Sequence, residues 1–151
     1  VDSADILLMP GGTDTWPLLG NEAVLEWVRA IDAGSQWTTS VCTGSLVYAA
    51  AGLLTGHKAT THWATLDVLK EFGAEPVKSR VVESGKYMTA AGVSAGIDMG
   101  LTLAARIAGD EFAQLMQLAI EYDPEPPFDA GSPEKAPHLK DAVIAALSPS
   151  G

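Results

Sequence analysis

A chain of 151 residues and 15.7 kDa has room for one domain and little more. Hydrophobic residues at 47% and charged residues at 19% belong to a folded protein rather than a disordered one. Nineteen acidic side chains against nine basic ones leave a net charge of −10, a field that repels nucleic-acid phosphates and anionic lipid. Along the chain, residues 6–9 are continuously apolar and stop at Pro10-Gly11-Gly12, a strand followed by a turn. Residues 21–33 set Ala23, Val24, Trp27, Val28 and Ile31 at helical spacing, with Gly34 as the C-cap. Residues 37–41 read as the next strand, Cys42-Thr43-Gly44-Ser45 as a turn, and residues 45–54 as an alanine-dense helix broken by Gly56. A short strand is predicted over 58–61, an amphipathic helix over 63–72 ending at Gly73, and a hairpin of 77–82 and 86–89 across Ser84-Gly85. A long apolar helix covers 94–108, and Asp110 caps another that reaches 119. Residues 123–138 hold five of the nine prolines and read as an extended surface arm, and 139–147 as a last amphipathic helix. Apolar strands alternating with helices predict a mostly parallel sheet covered on both faces, in one domain over residues 1–151.

The longest apolar stretch, residues 46–54, is too short to span a bilayer. The first residues, Val1-Asp2-Ser3-Ala4-Asp5, carry no positive region of a signal peptide. A single cysteine excludes an internal disulfide and a multi-cysteine metal centre, and makes the reducing cytoplasm the expected compartment. The chain opens almost directly on its first strand and without methionine, which fits a fragment.

Chemistry concentrates at the junction Val41-Cys42-Thr43-Gly44-Ser45. A strand ends, a cysteine sits in the turn, and small residues open a helix, which presents the side chain at the C-terminal edge of the sheet where open α/β sheets bind ligands. Backbone N–H groups and the positive helix end there stabilise a thiolate and a developing negative charge. Spacing alone leaves a second reading open, that Cys42 is a small buried hydrophobe. Gly11 and Gly12 allow close backbone approach at the same edge, as amide donors to an oxyanion or as an ordinary tight turn. His62, twenty residues after Cys42, ends a neighbouring strand and is a base or charge partner for the cysteine, or a locally bonded histidine. Asp98, in the first turn of its helix, is better read as complementing the helix dipole than as a general acid. Three scattered histidines without ligand spacing make a metal site unexpected.

Leu7-Leu8-Met9-Pro10-Gly11-Gly12, Ser40-Val41-Cys42-Thr43-Gly44-Ser45-Leu46, Ala50-Ala51-Gly52-Leu53-Leu54-Thr55-Gly56, Ala59-Thr60-Thr61-His62-Trp63 and the stretch from Thr89 to Asp98 together resemble the ThiJ/PfpI superfamily, related in fold to class I glutamine amidotransferases. The stretch from Tyr122 to Pro133 looks like the tail of bacterial isocyanide hydratases. The resemblance implies a flavodoxin-like α/β/α sandwich, a homodimer, and no metal or organic cofactor. It implies that Cys42 attacks the carbon of a small isocyanide, that Thr43 offers its amide and hydroxyl, that Gly12 supplies a further donor, and that water completes an N-substituted formamide. It also implies a first βα unit carrying a proton-transfer carboxylate, for which this sequence has no counterpart. Thr43 stands where the peptidase-like branch has histidine, which argues against a protease. Glyoxalase- and deglycase-like branches share the cysteine and the histidine, and a redox sensor needs the same reactive thiol. The Cys-Thr-Gly and Ala-Thr-Thr-His-Trp segments are similar also to the sensor domain of AraC-type transcription regulators, although no basic segment follows here.

Overall fold

The computed structural model of the protein describes residues 1–148. It divides into two compact units, one of Val1–Met99 and one that begins at Gly100. The first unit holds β1 (Ile6–Met9), α1 (Glu22–Gly34), β2 (Trp37–Val41), α2 (Gly44–Ala50), β3 (Lys58–Ala59), α3 (Val68–Glu71), β4 (Glu75–Pro76), β5 (Val81–Ser84) and β6 (Tyr87–Ala90). Its main sheet has the order β1-β2-β6-β5, with β1, β2 and β6 parallel and β5 antiparallel at one edge. A separate two-stranded ladder pairs β3 with β4. The sheet is thus mixed and mostly parallel, as predicted, and the register sets Met9 beside Ser40 and Val41 beside Ala90. The ends that carry the turn to Cys42 therefore lie together at one edge.

The core of this unit gathers α1 and α2 against the sheet. Val28, Leu46, Val47, Tyr48, Leu54 and Leu69 are fully buried. Tyr48 resolves its polar end by donating to the Thr39 carbonyl at 2.9 Å. Burial, with Asp32 adding to it, holds the Tyr48 phenol far above its ordinary range, so it stays a neutral donor. α1 begins where the sequence places it, with the Asn21 side chain accepting from the Val24 amide as N-cap. Gly34 is its last residue, and Ser35 is the C-cap.

Several predicted elements come out shorter. α2 stops at Ala50, and the chain turns through Gly52 at φ 82°. The strand predicted over 58–61 keeps only Lys58–Ala59. Beyond it the Thr60 amide donates to the Thr89 hydroxyl at 2.9 Å, and the Thr61 hydroxyl turns to the Cys42 carbonyl. The helix predicted over 63–72 is interrupted: a 3-10 turn covers Trp63–Thr65 and α3 only Val68–Glu71. His62 and Thr65 supply side-chain partners to the backbone there, and local bonds of that kind compete with a helical ladder. A 3-10 stretch over Thr13–Gly20, containing Pro17, had no sequence signal.

α4 (Ala95–Ala108) begins in the first unit. In the second lie α5 (Asp110–Ala119) and α6 (Lys140–Leu147). Gly109 at φ 90°, not Asp110, is the N-cap of α5; Asp110 occupies the first turn, where a carboxylate suits the helix dipole. Residues 123–136 form neither helix nor strand. No helix among the described residues is long and apolar enough to cross a membrane.

Candidate active site

Cys42 leaves β2 in the left-handed region, at φ 57°. A residue with a Cβ is uncommon there and costs free energy, so the surroundings must hold it. They do so through both of its backbone groups. The Cys42 amide donates to the carbonyls of Ala90 at 3.1 Å and Ala91 at 2.8 Å. Its carbonyl accepts from the Thr61 hydroxyl at 2.9 Å and the Ser45 hydroxyl at 3.3 Å. The next residues then enter α2 directly. This is a strand–turn–helix elbow, and the cysteine on it is free and largely buried.

The turn after β1 is pressed onto this elbow. A Cβ added at Gly11 falls 2.5 Å from the Cys42 Cβ and 2.8 Å from the Thr43 amide nitrogen. A Cβ at Gly44 collides with the backbone of Met9 and Pro10. Glycine is thus required on both sides of the contact. Gly12 has φ 146°, again in glycine territory. Its amide donates to the Thr43 hydroxyl oxygen at 3.0 Å, and its carbonyl accepts from the same hydroxyl at 3.1 Å. Thr15 closes the group, with its hydroxyl 2.7 Å from the Gly12 carbonyl and 2.9 Å from the Thr43 hydroxyl. Cys42, Thr43, Gly11 and Gly12 are therefore one packed cluster. The Gly12 amide is engaged by Thr43.

His62 follows Thr61, whose hydroxyl holds the Cys42 carbonyl. Its Nδ1 accepts from the Ala64 amide at 3.2 Å and caps the 3-10 turn. That bond leaves the ring proton of the neutral form on Nε2. Burial holds the His62 pKa below its ordinary value of 6.5, so the ring is neutral at pH 7. A Cβ at Gly92 approaches its Cδ2 to 3.2 Å, which places the loop after β6 against the imidazole. His57 lies away from this cluster, bonded to Ser84 at 2.9 Å through Nδ1. Asp98, in the first turn of α4, is ion-paired with Arg80.

Sequence reasoning missed Thr15, Thr61 and Ser45, whose hydroxyls brace the elbow. Their signal is burial of small polar residues beside a glycine-rich turn, which one-dimensional patterning does not reveal. Among the described residues no three His, Cys, Asp or Glu side chains come together as a metal site.

Residues 1–106 match the DJ-1/PfpI family. The isonitrile hydratase of Pseudomonas putida is 53% identical over 133 residues, which is 88% of this chain and 58% of that protein. A match of that length includes Cys42 and His62 wherever it begins. The HTH-type transcriptional regulator CdhR of Pseudomonas aeruginosa is 37% identical over 93 residues, 60% of this chain but 28% of the regulator. Among solved structures, a ThiJ/PfpI family protein from Pseudomonas syringae superposes with a TM-score of 0.92 at 42% identity, covering 97% of this chain and 62% of that one. The chain thus spans about three fifths of the length of these two relatives. The three-layer α/β fold expected from the sequence is the fold of that structure. On the matched residues and the shared fold together, this chain belongs to the DJ-1/PfpI family.

Proposed function

We propose that the chain is part of an enzyme that hydrates an isocyanide to an N-substituted formamide, with Cys42 as nucleophile. The observation that carries this reading is the 53% identity to an isonitrile hydratase across a span that includes the Cys42 elbow. The elbow itself suits the chemistry. Its φ of 57° turns the side chain out of the strand while both backbone groups stay satisfied. The Cys42 sulfur, as thiolate, forms a bond to the terminal carbon of R–N≡C. That carbon takes a proton and becomes the thioimidate R–N=CH–S–Cys42. Water adds to the same carbon, its second proton going to nitrogen. The new hydroxyl then gives up its proton, which replaces the one taken by the carbon, and the carbon–sulfur bond breaks, releasing R–NH–CHO and the thiolate. In this scheme the Thr43 hydroxyl is a donor beside the reacting carbon. Gly11 keeps the wall of the site at backbone thickness, the Gly12 amide holds Thr43, and His62 is a neutral neighbour. The isocyanide and water are the only reactants. A homodimer belongs to the same reading, and the exposed Leu115 and Leu118 of α5 offer an apolar face for it.

The test is formamide formation from an aryl isocyanide by the full-length protein, wild type beside Cys42→Ala and Cys42→Ser. Wild-type turnover that falls by at least about 10³-fold in both variants is expected. Turnover retained without the thiol removes the nucleophile. No formamide from wild type with native circular dichroism removes the isocyanide, and brings forward the glyoxalase-like and ligand-sensing readings.

A further inference from the structure

The surroundings of His62 decide which of its expected roles it can fill. Its Nδ1 lone pair accepts from the Ala64 amide at 3.2 Å, and in the neutral ring Nε2 carries the proton. Neither nitrogen then has a lone pair left to take a proton from a thiol or a substrate. As a charge partner, protonated at Nδ1, the ring would give up the Ala64 bond. What the ring does hold is the 3-10 turn Trp63–Thr65, whose N-cap is His62 itself. The Thr65 amide at 2.9 Å and the Thr65 hydroxyl at 3.1 Å close the same turn on the His62 carbonyl. Thr61, immediately before the cap, is 1% exposed, and its hydroxyl reaches the Cys42 carbonyl at 2.9 Å. The Thr65 hydroxyl, the other acceptor within its reach, is more distant at 3.3 Å. Ser45, which also donates to the Cys42 carbonyl, belongs to α2 and moves with the elbow, whereas Thr61 holds that carbonyl from outside it.

We propose that His62 is a positioning residue and not a base: its ring caps the turn that sets Thr61 against the Cys42 carbonyl, and so holds the nucleophile in its left-handed conformation. The inference rests on the hydratase reading and deepens it. Without the cap the turn loosens and Thr61 leaves the carbonyl. Cys42 then relaxes from φ 57° toward conformations that a residue with a Cβ adopts at lower cost. A misplaced nucleophile lowers kcat more than it raises KM.

Asparagine and glutamine separate the two ring nitrogens. Asn puts an acceptor where Nδ1 stands, and Gln puts its amide where Nε2 stands. On the full-length protein, His62→Ala is expected to lower kcat for aryl isocyanide hydration about fivefold, the equivalent of one lost helix cap. KM stays within about twofold. His62→Asn recovers most of the lost rate, and His62→Gln does not. In a Thr61→Val background His62→Ala has no further effect on kcat, because the bond it acts through is gone. Glutamine restoring the rate as well as asparagine or better overturns the proposal and returns the role to Nε2. An equal loss with and without the Thr61 hydroxyl overturns it in favour of packing. If the alanine variant does not fold, the asparagine and glutamine variants carry the same comparison. Wild-type protein that makes no formamide is a different result: it removes the hydratase reading, and this role with it.

Discussion

His62 gives the site a pH-dependent contribution to stability. Its Nδ1 accepts from the Ala64 amide, and burial lowers its pKa below 6.5. Protonation therefore both desolvates a charge and breaks the cap. Between the folded and unfolded pKa values the unfolded chain binds more protons, so stability rises with pH through that window. The stabilising contribution is fully present above about 6.5, and is lost as pH falls toward the lowered folded value. His62→Asn keeps a side-chain acceptor at the N-cap and removes the titration. The expected outcome is a thermal midpoint that drops less for the variant than for wild type between about pH 7 and about pH 5. Equal drops would show that the ring does not carry the effect. The strand–turn–helix elbow at Cys42 was legible in the sequence because an apolar strand, one cysteine and small residues follow in series. Its bracing was not. Thr15 lies in a segment whose sequence carries no helical period, and Thr61 is distinguished only by where its hydroxyl ends.

At the level of elements, one carboxylate joins three of them at the end of the sheet away from Cys42. Asp32, near the end of α1, accepts from the Thr38 hydroxyl of β2 at 2.6 Å and from the Tyr87 phenol of β6 at 3.3 Å. Lys86 lies 3.1 Å from the same carboxylate and also donates to the Asp32 carbonyl. The carboxylate side chain is 8% exposed, so its partners replace water rather than supplement it. Removing it takes a buried partner from the Thr38 hydroxyl, the Tyr87 phenol and the lysine at once, and leaves Thr38 with Ser35 at 2.8 Å and Lys86 with the backbone carbonyl. Asp32→Ala is expected to cost about 3 kcal/mol in urea unfolding, with an unchanged slope. A loss below about 1 kcal/mol would assign the cluster to the surface class of ion pairs. β1, α1, β2, β6 and α5 follow the sequence closely, because apolar period and turn residues agree there, whereas the first hairpin strand, predicted over 77–82, lies at Val81–Ser84. The segment 58–72 does not: threonine and histidine side chains take over backbone partners, and hydrophobic period says nothing about that competition.

For the whole chain, the exposed edge of the sheet decides behaviour in isolation. Among the described residues β1 pairs with β2 on one side only. Ile6 and Leu8, which share a face of that strand, are 42% and 51% exposed. An apolar edge strand with unpaired backbone groups is a template for another strand. The net charge of −10 opposes such pairing, but exposed charges separated by more than about 10 Å are largely screened at about 0.1 M salt. The two forces therefore separate by ionic strength. The 151-residue chain alone is expected to sediment as a smaller species at low salt and to associate as salt rises, with a steep dependence on concentration. Leu8→Glu places like charges across an edge-to-edge pair, where they repel at short range and are screened less. That variant should stay small at salt concentrations where the wild-type chain has associated, as read by sedimentation velocity. If both sediment alike at every salt concentration, β1 is not the associating edge, and the apolar side chains of α5 become the face to mutate next. If association instead weakens as salt rises, attraction between charges rather than apolar burial holds the copies together.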